Sequence, residues 1–187
     1  MIDGIILAGG KSTRMKTNKM LLDFNGHPII WHTLKSIQPH VDRVIIVTGR
    51  YDKEIREALK NENVLFIYNK DYEKGMFSSV LTGVRKTNGD FFIIPGDCPF
   101  VQGKTFESLI KGKGDIRVPS VNGEDGHPIY ISSKYKDELL SMSLDNNLKS
   151  FRDSKNYEII DVEDKNIVIN LNEFLDYQNI NLTEKGR

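Results

Sequence analysis

Leu7-Ala8-Gly9-Gly10 leads out of an apolar run into Lys11-Ser12-Thr13-Arg14-Met15, and Lys19 follows four residues later. Adjacent glycines let the backbone approach a bulky anion and turn successive N–H groups toward it. Ser12 adds a hydroxyl, while Arg14 and Lys19 add two spaced cations able to neutralise phosphate oxygens. Together these residue types point to a site for a nucleotide triphosphate. The segment is not a P-loop, because the first glycine of Gly-x-x-x-x-Gly-Lys-Ser/Thr would fall on Ile5, and the nearest one is Gly4. Nor is it the dinucleotide fingerprint Gly-x-Gly-x-x-Gly, since Gly9 and Gly10 are adjacent with no third glycine in place. A glycine pair after a strand is by itself only a tight turn; Arg14 and Lys19 carry it toward phosphate binding.

Three further stretches hold residues suited to the same chemistry. In Pro95-Gly96-Asp97-Cys98-Pro99, an acidic residue closes an apolar run between backbone-restricting neighbours. A carboxylate at the carboxyl end of a central strand faces the crevice where α/β proteins bind ligands. Beside a triphosphate it suits Mg²⁺, which needs only one or two carboxylates when phosphates supply the other oxygens. The competing role for Asp97 is a turn residue capping the next helix, and the glycine and cation series favours the metal. Gly75 precedes Ser78 and Ser79 in a stretch that runs to Gly83. Hydroxyls and N–H groups at a helix start bind base edges, ribose or phosphate, or serve as an ordinary N-cap. His127 opens a strand from the glycine-rich turn Gly123–Gly126, where it is placed either to touch an acceptor substrate or to support the fold. Trp31 and His32 are read as packing residues, and Cys98 as a small apolar filler.

The elements that must position these residues alternate along the chain. Ile2–Ala8, Val44–Thr48, Val64–Tyr68 and Phe91–Pro95 are short apolar runs of the kind that buried parallel strands produce. His27–Ile37, with Pro28 at its first turn, Lys53–Leu59 and Ser78–Lys86 read as helices between them. The order predicts an α/β fold with a parallel sheet, its chemistry at the carboxyl ends of the strands. The second half changes pattern: Asp115–Pro119 and His127–Ser132 form a hairpin across the turn Val121–Gly126. Helices at Lys134–Ser141 and Leu144–Arg152 and strands at Tyr157–Val162 and Lys165–Ile169 complete it. We expect one domain over residues 1–177 and a polar tail over 178–187.

The whole-chain balance of 26 basic and 26 acidic residues in 187 points away from nucleic acid and anionic membranes as partners. One cysteine excludes an internal disulfide framework and suits a reducing compartment. With no signal-peptide pattern and no apolar run of membrane-spanning length, a cytoplasmic location is expected.

The order Leu7-Ala8-Gly9-Gly10-x-Ser12-x-Arg14-Met15, Lys19-Met20-Leu21-Leu22, Gly26-x-Pro28, Gly75 to Gly83, Gly96-Asp97-x-Pro99 and Gly126-His127-Pro128 resembles the MobA-like nucleotidyltransferases over residues 2 to 177. That resemblance implies a Rossmann-like nucleotidyltransferase fold (GT-A-like), a three-layer sandwich with a mixed, mostly parallel central sheet. It also implies a Mg²⁺-dependent transfer of a nucleoside monophosphate from CTP or GTP to molybdopterin, giving a dinucleotide form of molybdenum cofactor. Carried over by position, Leu7, Ala8, Gly9 and Gly10 would meet base, ribose and phosphate, and Arg14 and Lys19 would bind the triphosphate. Asp97 would bind Mg²⁺, Asn69 would contact the nucleoside, and Ser79 and His127 would face the pterin. The family's C-terminal Asp/Asn-x-Asp/Asn-Thr-Pro-Glu-Asp is altered here to Asn170-Leu171-Asn172-Glu173-Phe174-Leu175-Asp176, so Asn172 stands where a second metal ligand is expected. Gly9 and the Asn170-x-Asn172 pair resemble the GTP-using branch, whereas Gly75–Gly83 and Gly126-His127-Pro128 resemble the CTP-using branch and favour CTP. The alternatives are a nucleotidyltransferase for a sugar phosphate or other phosphorylated acceptor, and a chaperone that hands cofactor to a molybdenum hydroxylase.

Overall fold

The computed structural model describes residues 1–10 and 18–169. Its first strand, β1 (Ile2–Ala8), is buried at every position after the first, which is why its sequence is apolar on both faces rather than alternating. Asn25 and Gly26, at φ 51° and 83°, turn β2 (Asp23–Phe24) back on β3 (His27–Pro28), the positive-φ pair that a two-residue hairpin requires. This hairpin displaces the expected start at His27, and α1 runs Ile29–Ile37 with Pro28 as its cap residue. Trp31 on α1 stacks on His27 with ring centroids 3.9 Å apart and donates to Glu62 at 2.8 Å. His32 Nε2 lies 2.8 Å from the Phe24 carbonyl, so both rings tie the hairpin to the helix.

Next come β4 (Arg43–Thr48), α2 (Asp52–Ala58), β5 (Leu65–Tyr68), α3 (Met76–Val84) and β6 (Asp90–Pro95). α3 begins two residues before Ser78, because Gly75, at φ 103°, takes the cap position. A helix that was not anticipated, α4 (Gly103–Lys111), follows β6. β7 (Ile116–Val121) then turns at Asn122 and Gly123, φ 53° and 81°, into the short β8 (Glu124–Asp125). The expected strand His127–Ser132 is trimmed to β9 (Ile129–Ile131). α5 (Lys136–Ser141), α6 (Leu148–Asp153) and β10 (Glu158–Asp161) complete the described chain.

Lys165–Ile169, expected as a strand, is instead a single 3-10 turn at Lys165–Ile167. The cause is Asp164, whose carboxylate accepts from the Asn166 N–H at 3.0 Å and caps the turn. The same carboxylate takes the Gln102 N–H at 2.7 Å and the Thr105 hydroxyl at 2.9 Å, joining this turn to the start of α4.

The sheet order is β10-β7-β9-β6-β1-β4-β5, with β8 paired to β7. β1 runs parallel to β4 and β6, and β4 to β5. β9 is antiparallel to β6 and β7, which makes the sheet mixed. Alternation along each strand divides the core in two. Ile6, Ala8, Ile46, Phe92 and Ile94 pack with Leu34, Ile55 and Phe106 of α1, α2 and α4. Ile5, Leu7, Val47 and Ile93 pack with Val80, Leu139 and Phe151 of α3, α5 and α6. The result is the expected three-layer α/β sandwich, and among the described residues no helix is long and apolar enough to cross a membrane.

Candidate active site

The chain leaves β1 toward β4 and β5, then returns to place β6 on the opposite side of β1. A crevice opens at such a reversal, beyond the carboxyl ends of the two diverging strands. Gly9 and Gly10 continue from β1 on one side of it, and Gly96 and Asp97 from β6 on the other. Gly96 binds the two together. Its N–H donates to the Leu7 carbonyl at 3.0 Å, and its carbonyl accepts from the Thr33 hydroxyl of α1 at 2.9 Å. A Cβ on Gly96 would lie 2.6 Å from Met20 Sδ and 3.2 Å from the Leu7 carbonyl, so the bare Cα lets the turn Lys19–Leu21 pack closely against it. Asn18 caps that turn, its Oδ1 accepting from the Met20 N–H at 3.1 Å. Its Nδ2 is buried and has no hydrogen-bond partner among the described residues. Through these contacts Lys19 is brought to Asp97, and the ammonium and carboxylate form an ion pair.

Gly9 is buried between α3 and the end of β4, and Gly10 is exposed, with none of the described residues within 4 Å of where a Cβ would stand. A Cβ on Gly9 would fall 2.5 Å from Ser79 Oγ, and one on Gly49 would fall 2.7 Å from the Gly9 carbonyl. Ser78, Ser79 and Asn69 are all buried. Asn69 Nδ2 donates to Ser78 Oγ at 2.8 Å and Ser79 Oγ at 3.0 Å, while its Oδ1 accepts from the Asp71 N–H at 3.0 Å and the Thr82 hydroxyl at 3.3 Å. Both N–H donors and both lone pairs of the amide are therefore engaged within the protein. Ser78 Oγ lies 2.9 Å from the Asp71 carbonyl and 2.7 Å from that of Gly75, so its proton also stays within the fold. Gly83 sits one turn further along α3, where a Cβ would lie 2.6 Å from Ile5 and 3.0 Å from Val47, and it brings the helix close to the sheet.

His127 enters from the other side. β9 pairs with β6 with Ile129 opposite Ile93, and His127, two residues before that pair, lies close enough to Asp97 to interact with it electrostatically. Its N–H donates to the Ile167 carbonyl at 2.8 Å, and the Gly126 N–H to the Pro119 carbonyl at 2.9 Å, which fixes the loop. The imidazole is solvent-accessible but lies in a recess of the protein. Desolvation there lowers its pKa below 6.5, Asp97 opposes that shift and Arg152 adds to it. Arg152, which sequence reasoning did not single out, is a mostly buried cation held by Asp125 at 3.2 Å and Asp153 at 2.7 Å. No spacing motif announces it, because Asp125 reaches it from a different element.

Lys19, Asp97, Gly9, Gly10, Ser79 and His127 thus gather around one crevice, with Asn69 and Ser78 beneath it. Ser12, Arg14, Asn170, Asn172 and Asp176 lie outside the described residues. No group of three or more His, Cys, Asp or Glu able to hold a metal occurs among the described residues. One hard carboxylate at Asp97 suits a hard cation that draws its remaining oxygens from phosphates, and does not suit an all-protein metal cage.

A doubly wound sheet with a glycine pair, a cation and a carboxylate at its reversal point suits a nucleotidyltransferase, and the protein is an enzyme of this class. More narrowly, the chain belongs to the MobA-like NTP transferase domain family, whose profile matches residues 4–159. It is 28% identical over 173 residues to the molybdenum cofactor cytidylyltransferase of Escherichia coli (strain K12), covering 91% of this chain and 90% of that one. It is 26% identical over 193 residues to a probable molybdenum cofactor guanylyltransferase of Natranaerobius thermophilus, covering 98% and 92%. A nucleotidyl transferase from Methanothermobacter thermautotroptrophicus shares the fold with a TM-score of 0.81 at 24% identity, over 96% of this chain and 95% of that one.

Proposed function

We propose that this enzyme transfers a nucleoside monophosphate from CTP, or in the second instance GTP, to the terminal phosphate of molybdopterin or molybdenum cofactor, and releases pyrophosphate. The observation that carries this reading is the convergence of the Gly9-Gly10 turn, Lys19, Asp97 and His127 on one crevice. The near full-length similarity to a cytidylyltransferase and a guanylyltransferase for molybdenum cofactor supports the acceptor and leaves both bases in play.

In the reaction, an oxygen of the acceptor phosphate attacks the α-phosphorus, a phosphoanhydride bond forms, and the bond from the α-phosphorus to the β-phosphate oxygen breaks. Mg²⁺, held by Asp97 and by phosphate oxygens, would offset charge developing on the leaving group. Lys19 and Arg14 would add positive charge from the protein side. A phosphate nucleophile is ionised near neutral pH, so the site needs positioning more than a strong base. The Gly9-Gly10 backbone borders the nucleoside, Ser79 faces the acceptor, and the Asn69 network braces Ser78 and Ser79. His127, neutral at pH 7, faces the acceptor without adding charge. The dinucleotide product would pass to a molybdenum hydroxylase.

Pyrophosphate release by the purified protein tests this, with Mg²⁺, molybdopterin, and CTP or GTP offered separately. Release that requires the pterin, faster with CTP, is expected. Release that requires a sugar phosphate instead would keep the transferase and discard the acceptor.

A further inference from the structure

Under the proposed function, Lys19 belongs to the triphosphate and Asp97 to the divalent cation, yet here the two side chains hold each other. Their backbones have little freedom to part. Lys19 sits in a turn capped by Asn18 and wedged by Met20 against Gly96, and the Gly96 peptide is held by Leu7 and Thr33. Side-chain rotation is what remains. The side chains are 23% and 15% exposed, shielded enough for the pair to have strength and open enough for ligands to reach it.

We propose that the Lys19–Asp97 ion pair is a latch that makes metal binding and nucleotide binding depend on each other; this rests on the nucleotidyltransferase reading of the crevice. A divalent cation arriving alone at Asp97 must displace the ammonium and then lies beside it, a like-charge contact. A triphosphate arriving alone at Lys19 leaves the Asp97 carboxylate facing phosphate, again a like-charge contact. When metal and triphosphate arrive together, each side chain exchanges its partner for another of the same sign, and neither repulsion persists. The coupling is reciprocal by linkage, so whatever raises one affinity raises the other.

The latch is tested with metal alone. Mn²⁺ is titrated, its free ion followed by electron paramagnetic resonance, into the wild type, Lys19→Met, Lys19→Gln, Lys19→Arg, Asp97→Asn and the Lys19→Met/Asp97→Asn double variant. Thermal melts on the same samples establish that each is folded. Removing an opposite charge in contact with a carboxylate changes its cation affinity by about tenfold or more, so Lys19→Met and Lys19→Gln should bind Mn²⁺ about tenfold more tightly than the wild type. Lys19→Arg keeps the pair and should bind as the wild type does; Asp97→Asn and the double variant should not bind. Equal affinity of the wild type and both neutral Lys19 variants, with loss only in Asp97→Asn, overturns the latch while leaving the metal on Asp97. A gain that survives in the double variant places the ion elsewhere and also overturns it. If no protein shows Asp97-dependent binding, the metal role of Asp97 falls together with the latch, although pterin-dependent pyrophosphate release would still stand as a separate result.

Discussion

Gly96 decides the chemistry of Asp97 more than any feature of Asp97 itself. Its N–H is given to Leu7, its carbonyl receives Thr33, and its bare Cα admits Met20, so the backbone that carries the neighbouring carboxylate is held in place. Asp97→Ala should lower kcat by about a thousandfold or more, since charge stabilisation by a bound metal contributes several kcal/mol; near-normal rates in saturating Mg²⁺ would contradict the assignment. Thr33→Val removes the brace without touching substrate, and kcat/KM should fall about tenfold while thermal unfolding shows a loss of about 1 kcal/mol. His127 supplies a pH signature. Its folded pKa lies below 6.5, so its contribution to stability is complete above that value and is lost as pH falls through the folded pKa. His127→Gln should flatten the decline in melting temperature as pH falls below 6.5. Lys19 and Asp97 were legible from residue type and position. Thr33 and Arg152 were not, because their partners Gly96 and Asp125 lie on other elements and no local pattern links them.

At the scale of elements, α3 is pressed onto the ends of β1 and β4 by two glycines. Gly83 admits Ile5 and Val47, and Gly9 admits the Ser79 hydroxyl. Gly9→Ala should therefore weaken nucleotide binding by pushing Ser79 away, and Gly9→Ala/Ser79→Gly should recover most of the loss in a nucleotide titration. Equal damage in the single and double variants would mean that Ser79 is not what limits the space. The main strands were readable because burial on both faces leaves continuous apolar runs such as Ile5-Ile6-Leu7-Ala8. Shorter elements were governed by chemistry that acts across distance. Lys165–Ile169 looks like a strand by its apolar residues, yet the buried Asp164 carboxylate winds its start into a turn and holds α4 as well. α3 starts at Met76 because Gly75 takes a backbone conformation that the serines would resist. Asn25-Gly26 did carry a hairpin signal, but strands of two residues give no periodicity to support it.

For the molecule as a whole, the crevice depends on β1 standing between β4 and β6, and one buried carboxylate helps to hold that order. Asp3 of β1 is fully buried, accepts from Arg43 Nε of β4 at 2.9 Å and takes the Asn88 N–H just before β6 at 2.6 Å. Asp3→Ala leaves the half-exposed Arg43 guanidinium and the Asn88 N–H without their acceptor, and should destabilise by about 1–2 kcal/mol in chemical denaturation while leaving KM for nucleotide near its wild-type value at low temperature. The most direct measurement of the central claim follows the α-phosphate itself. With CTP or GTP labelled at the α-phosphorus, Mg²⁺ and molybdopterin, the label should move into a pterin dinucleotide in step with pyrophosphate release, and Asp97→Ala should abolish the transfer. Label that stays in nucleotide, or leaves as free nucleoside monophosphate with or without the pterin, would contradict a transferase acting on that acceptor.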